Sequence, residues 1–187
     1  MVETQTKKLT GDDLLAMPQA KTSGMELIDG ELVPRGGTMS PTSWRHGKVE
    51  FRLAAIFSRY QDAHKTGEFV TGEVGFYTRG DQFTTRAADI AFIQTERIPE
   101  KTEGFLSIAP DLVVEIISPG NSADDIEAKT AEWFDFGVKM VWLIYPRTER
   151  VHVFTTPKTM RVYSADETLS VDAVLPGFSV SVAEIFA

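Results

Sequence analysis

Ala109-Pro110-Asp111-Leu112-Val113-Val114-Glu115-Ile116-Ile117-Ser118-Pro119 is the stretch on which the fold turns. Leu112, Val113, Val114, Ile116 and Ile117 are apolar and mostly β-branched, the composition of a strand covered on both faces. Two carboxylates interrupt it. A carboxylate taken out of water needs a basic partner or a cation, because desolvating it otherwise costs more than packing returns. Asp111 and Glu115 share a strand face but stand four residues apart, roughly 13 Å along an extended chain. One small ion does not span that without a bend, so for Asp111 a turn-capping role at the strand entrance competes with a ligand role.

Downstream, Asn121 or Ser122 caps a helix whose first turn holds Asp124, Asp125 and Glu127, matched to the helix dipole. Ile126, Lys129, Thr130 and Trp133 fall on one side, which turns Lys129 inward, and Gly137 supplies a C-terminal cap. Met140 to Tyr145 is a further apolar strand; Pro146-Arg147-Thr148-Glu149 turns the chain into Arg150 to Phe154. Met160 to Tyr163, the turn at Leu175 to Phe178 and a last helical turn over Val182 to Phe186 complete the chain.

Upstream, Thr85 to Ile93 reads as a strand with Asp89 just before Ile90-Ala91-Phe92-Ile93, and Gly67 to Thr78 as a longer one. Arg79-Gly80-Asp81 is turn chemistry between them, and residues 94 to 108 are polar and irregular. Thr42 or Ser43 caps a helix running to about Ala63, with Gly47 its weak point and Val49, Leu53, Ile56, Phe57 and Tyr60 on its buried face. His46 and Glu50 lie one turn apart beside that face. Either His46 bonds a loop and Glu50 is exposed, or both look into a site where the helix meets the sheet. Nearer the start, Met25 to Ile28 and Glu31 to Val33 flank Asp29-Gly30, a two-residue hairpin turn whose central positions both want positive φ. Thr10-Gly11-Asp12-Asp13 resembles a capping box before a short helix stopped by Pro18; the first eight residues form a tail and residues 34 to 41 a loop.

With 187 residues, 42% hydrophobic and 25% charged, one domain with a core of useful size is expected over 1–187, its centre of chemistry within 43–154. The absence of cysteine excludes disulfides, thiolate metal sites and cysteine nucleophiles. No uncharged run approaches the roughly 18 residues of a membrane span, so a soluble, cytoplasmic protein with no membrane partner is expected. A net charge of -8 weighs against a dedicated nucleic-acid binder and still permits a local basic strip or a metal-assisted enzyme.

From residue 43 to 145 the order is helix, strand, strand, strand, helix, strand. That is an α/β arrangement: an αβββαβ core with a mixed central sheet flanked by helices and an added N-terminal β-hairpin. An acid on the second strand, Asp89, an acid on the third, Glu115, and a nearby amine, Lys129, complete the pattern. Together with Glu26-Leu27-Ile28-Asp29-Gly30-Glu31-Leu32-Val33, Met39-Ser40-Pro41, His46, Ala88-Asp89-Ile90-Ala91-Phe92, Gly137-Val138 and Val141-Trp142-Leu143-Ile144, these residues make the chain similar to the Uma family of "putative restriction endonucleases". That family lies in the PD-(D/E)XK nuclease superfamily, and the resemblance covers about residues 24 to 178.

The resemblance implies a restriction-endonuclease-like fold and hydrolysis of DNA phosphodiesters, with Asp89, Glu115 and Lys129 catalytic. It implies that Asp89, Glu115 and the backbone carbonyl of Ile116 hold Mg²⁺, with Mn²⁺ as a substitute, and that His46, Glu50 and Asp111 are accessory. Two residues depart from the superfamily pattern. Ile117 stands where the motif has lysine, so Lys129 would supply the amine from the following helix, and Ala88 replaces the proline before Asp89.

Other readings stay open beside it. Asp89 could be a strand-edge turn residue and Glu115 a buried partner of Lys129 alone. The chain could be an inactive nuclease-fold module that binds nucleic acid or a protein. It could also be a homodimer or higher homo-oligomer assembled through Trp142 or the hairpin. Trp44, Trp133 and Trp142 read as core or interface residues, and His64 and His152 as surface or strand positions. Arg45, Lys48, Arg52 and Arg59 line either a phosphate path or a solvated helix face.

Overall fold

A computed structural model describes residues 8–34, 43–101 and 103–187; the expected tail and the loop before the long helix lie almost wholly outside them. Thr10 caps α1 (Gly11–Ala16) by accepting from the Asp13 amide while the Asp13 carboxylate accepts from the Thr10 amide, the reciprocal pair that the sequence predicts. After Pro18 comes α2 (Gln19–Thr22), then β1 (Met25–Ile28) and β2 (Glu31–Pro34). Asp29 and Gly30 take φ of 51° and 83° at the hairpin turn, both left-handed as a two-residue turn demands.

Ser43 caps α3 (Trp44–His64), its side chain accepting from the His46 amide, and Gly47 leaves the helix unbroken. There follow β3 (Gly67–Tyr77), β4 (Thr85–Gln94), a single 3₁₀ turn over Thr95–Arg97, and β5 (Leu112–Ile116). β5 is shorter than the apolar run that announces it. Pro110 and Pro119 lack the amide a ladder requires, so pairing is confined to the residues between them. α4 (Ala123–Phe136) starts on Ser122 and ends on Gly137, at φ 110°. Next come β6 (Met140–Tyr145), β7 (Arg150–Thr156), β8 (Thr159–Tyr163), β9 (Thr168–Ser170), β10 (Ser179–Ser181) and α5 (Val182–Phe186).

The main sheet runs β2-β1-β4-β5-β6-β7-β8, with β3 also paired to β4. β5 and β6 are parallel, joined by the α4 crossover that a parallel pair requires; the other pairings are antiparallel. Leu112, Val114 and Ile116 pack toward α3 and α5, with Trp142 and Phe57, and Val113 packs toward Trp133 of α4. This alternation settles where Glu115 goes: an odd position on β5 faces the α4 layer, which carries Lys129.

Trp142 is fully buried, its ring 5.7 Å from Phe57 and 5.8 Å from Phe178. An assembly role for it is overturned, since it has no surface to offer. The hairpin is a component of the sheet, because β1 pairs with β4 at Leu27 and Thr85. Trp44, by contrast, is 88% exposed and belongs to no core. Among the described residues no helix is long and apolar enough to cross a membrane.

Candidate active site

Ile90 pairs with Val114 across β4 and β5, so Asp89 and Glu115 are one step further along the same register. The Ile116 amide donates to Asp89 Oδ2 at 2.6 Å, which ties the carboxylate of one strand to the backbone of the next. A charge-assisted bond from a fixed amide holds that carboxylate in one orientation. Asp89 Oδ1 is 3.5 Å from His46 Nε2, and His46 Nδ1 is 3.3 Å from Ser118 Oγ. α3 thus reaches the strand ends from one layer.

α4 reaches them from the other. Lys129 and Trp133 are four residues apart and share a helix face. Trp133 Nε1 donates to Glu115 Oε1 at 3.1 Å, and Lys129 Nζ lies 3.0 Å from the same oxygen. Lys129 also donates to the Ala87 carbonyl at 2.9 Å and approaches Glu26 Oε1 at 3.2 Å. Glu26, on β1, accepts from Arg86 at 2.9 Å and from the Ala87 amide at 3.1 Å. Arg86 continues to Glu132 at 2.7 Å, where Thr78 Oγ1 also donates. Burial pushes the Glu132 carboxyl up, but the bonds from Arg86 and Thr78 outweigh it and hold the group below the usual carboxylate range.

These groups open on one cleft of ≈ 570 Å³, whose lining includes Glu26, His46, Asp89, Glu115, Asn121 and Lys129. Ile116 lines it as well. Glu50 is not part of that lining: Oε1 accepts from Thr71 Oγ1 at 2.7 Å and Oε2 is 4.0 Å from His46 Nε2.

Asp111, expected as a possible accessory group, is elsewhere. It is fully buried at the opposite end of β5, with Lys139 at 2.7 Å, Arg97 at 2.6 Å and the Gln94 amide donating at 2.9 Å. Burial pushes its carboxyl up, yet Lys139, the Gln94 amide and Arg97 together hold it below the ordinary range. Its chemistry is structural, because the extended β5 keeps the two ends of the strand apart.

Glu26, Arg86 and Trp133 were not expected at the site. Glu26 offered a signal in being the only charge among Met25, Leu27 and Ile28. Trp133 shared the inward side with Lys129, but an indole there reads first as core, and it is both: fully buried and bonded to Glu115. Arg86 had no such signal.

The donor set suits a hard divalent cation. Asp89 and Glu115 offer carboxylate oxygens on adjacent strands, and an ion such as Mg²⁺ is commonly held by one or two carboxylates while keeping its waters. Among the described residues there is no group of three or more His, Cys, Asp or Glu side chains placed to hold a metal ion.

Residues 12–183 match the family model described as "Uma2: Putative restriction endonuclease". Among solved structures, the chain is similar to a crystal structure titled a putative nuclease belonging to DUF820 from Anabaena variabilis. That likeness has a TM-score of 0.74 and 21% sequence identity, covering 95% of this chain and 97% of the other. At that identity it establishes the fold. Comparison with curated proteins finds no match.

Proposed function

This chain belongs to the Uma2 family of "putative restriction endonucleases", and from that premise we propose that it is a metal-dependent endonuclease hydrolysing DNA phosphodiester bonds. The observation that carries the reading is the meeting of Asp89, Glu115 and Lys129, remote in sequence, on the wall of one cleft. A buried ion pair made only for stability has no need of a cleft, nor of a second carboxylate from the neighbouring strand.

In this reading Asp89 and Glu115 hold Mg²⁺, with Mn²⁺ as a substitute and the Ile116 carbonyl as a further ligand. When bound, such an ion lowers the pKa of a coordinated water and neutralises charge building on the scissile phosphate. The protein's own part is positioning. The Ile116 amide fixes Asp89 and the Trp133 indole fixes Glu115, so neither carboxylate has to reorganise as the reaction proceeds. Lys129 takes the place of the amine that Ile117 cannot supply; held by Glu115, Glu26 and the Ala87 carbonyl, it presents a fixed positive charge to the pentacovalent phosphate. Glu26 lies on β1, so the working unit extends beyond residues 43–154 to include the hairpin.

The test is cleavage of supercoiled plasmid by protein freed of contaminating nuclease, with Mg²⁺, Mn²⁺ or EDTA. Asp89→Asn, Glu115→Gln and Lys129→Met should each lower the metal-dependent rate about 100-fold or more while the far-ultraviolet spectrum stays native. Wild-type protein that leaves every nucleic acid intact across both metals sinks the catalytic reading and leaves the binding module in its place.

A further inference from the structure

We propose that the surface beside the cleft is a binding site for an unpaired nucleic-acid strand, with one backbone phosphate between Arg45 and Arg147 and a base stacked on Trp44. The inference deepens the nuclease reading and rests on it, by naming the substrate form the same site takes.

A second, smaller cavity of ≈ 220 Å³ adjoins the first and shares Ser43, His46, Ile117 and Pro119 with its lining. Its basic walls are Arg45, from the first turn of α3, and Arg147, from the turn between β6 and β7. Neither guanidinium has a hydrogen-bond or ion-pair partner among the described residues. This sets them apart from the other arginines of α3: Arg52 donates to the Ala187 carbonyl and Arg59 pairs with Glu184. In a chain of net charge -8, two unpaired guanidiniums around one hollow call for an anion. The planar fork of arginine matches phosphate oxygens in two-point contact.

Trp44 lies between Ser43 and Arg45 in sequence and is 88% exposed; Lys48 and Phe51, the latter 72% exposed, continue its stripe at helical spacing. Exposed aromatics interleaved with unpaired cations suit a single strand, because a stacking plate can take only a base whose face is open. Duplex bases keep their faces inside the stack. The strand that this surface fits is therefore unpaired where it passes α3, next to the catalytic cleft.

The experiment reads binding, not cleavage, so its failure is separable from failure of the nuclease reading. Glu115→Gln protein in EDTA is titrated with a labelled single-stranded oligonucleotide and with its duplex. Trp142 is buried in the core and Trp133 lines the cleft, so the part of the tryptophan quenching that disappears in Trp44→Ala reports Trp44. Expected are quenching by the single strand, about tenfold weaker binding for Trp44→Ala, and recovery in Trp44→Phe, followed by anisotropy of the label. Arg45→Ala/Arg147→Ala should weaken binding and lower the slope of log affinity against log salt by about 0.7 for each phosphate the protein no longer neutralises. Equal affinity for duplex, unchanged fluorescence, or an unchanged salt slope in the double variant overturns the proposal. So does wild-type protein that binds no single strand.

Discussion

Lys129 Nζ and Glu115 Oε1 stand 3.0 Å apart, and the same amine lies 3.2 Å from Glu26, so one cation serves two buried carboxylates. The pair is therefore asymmetric. Glu115→Gln leaves Lys129 its bond to Glu26, whereas Lys129→Met withdraws the amine from Glu115 and Glu26 at once, Glu26 keeping Arg86 and Glu115 the Trp133 N–H. Removing the shared partner of buried charges costs about 3 kcal/mol or more. Urea denaturation should rank Lys129→Met well below Glu115→Gln in stability, with both folded in water. Equal midpoints for the two variants would show that the amine matters little to the fold.

At the other end of β5, Asp111 answers to pH. Its folded carboxyl titrates below the ordinary range, so it contributes stability that is present above the unfolded value, near pH 4, and is lost as pH falls through the depressed folded value. Glu132 acts in the same sense through Arg86 and Thr78. Asp111→Asn removes this dependence and leaves Arg97 and Lys139 without a counter-charge, at about 1–3 kcal/mol near neutral pH. The wild type should lose Tm steeply on acidification from pH 5 to pH 3, and the variant should lose less over the same interval while starting lower. Parallel acid limbs would refute the assignment.

Asp111 and Glu115 mark how far a sequence goes. Both stood in the same apolar run, and the strand period put them on one face. The hairpin at Asp29-Gly30, the caps at Ser43 and Ser122 and the exit at Gly137 are local signals, and each was legible because its cause lies within a few residues. The meeting of Asp89 with Glu115 depends on a strand register between distant segments, reachable only through the family resemblance. Glu26 and Arg86 escaped because the pairing of β1 to β4 is long-range and leaves no periodic trace. For Trp142 core and assembly roles stayed open, because an apolar run looks alike whether its tryptophan faces a partner or, as here, Phe57 and Phe178.

Glu26 accordingly yields a prediction of its own. Glu26→Gln keeps an acceptor for the Ala87 amide but withdraws the charge from both Lys129 and Arg86. Because Glu26 and Lys129 touch, their effects on stability should not add. A double-mutant cycle over Glu26→Gln and Lys129→Met is expected to return a coupling of about 0.5–3 kcal/mol. Additive losses would place the two side chains in separate networks.

Trp133 distinguishes a site from a core most sharply. Phe replaces most of the indole's area and keeps an aromatic ring against Phe76, 5.9 Å away edge to face, but it removes the N–H that Glu115 Oε1 accepts. A purely structural tryptophan, so replaced, costs stability alone. If Glu115 is a metal ligand, loss of the group that orients it also weakens the ion's hold, by about 10–100-fold for a partner of this kind. Trp133→Phe should then raise the Mg²⁺ concentration needed for half-maximal cleavage by that factor and leave the KM for DNA unchanged, since the lost N–H is the one committed to Glu115 Oε1. A variant that melts earlier yet needs no more Mg²⁺ than the wild type would assign Trp133 to the core alone, and would remove the indole from the positioning of Glu115.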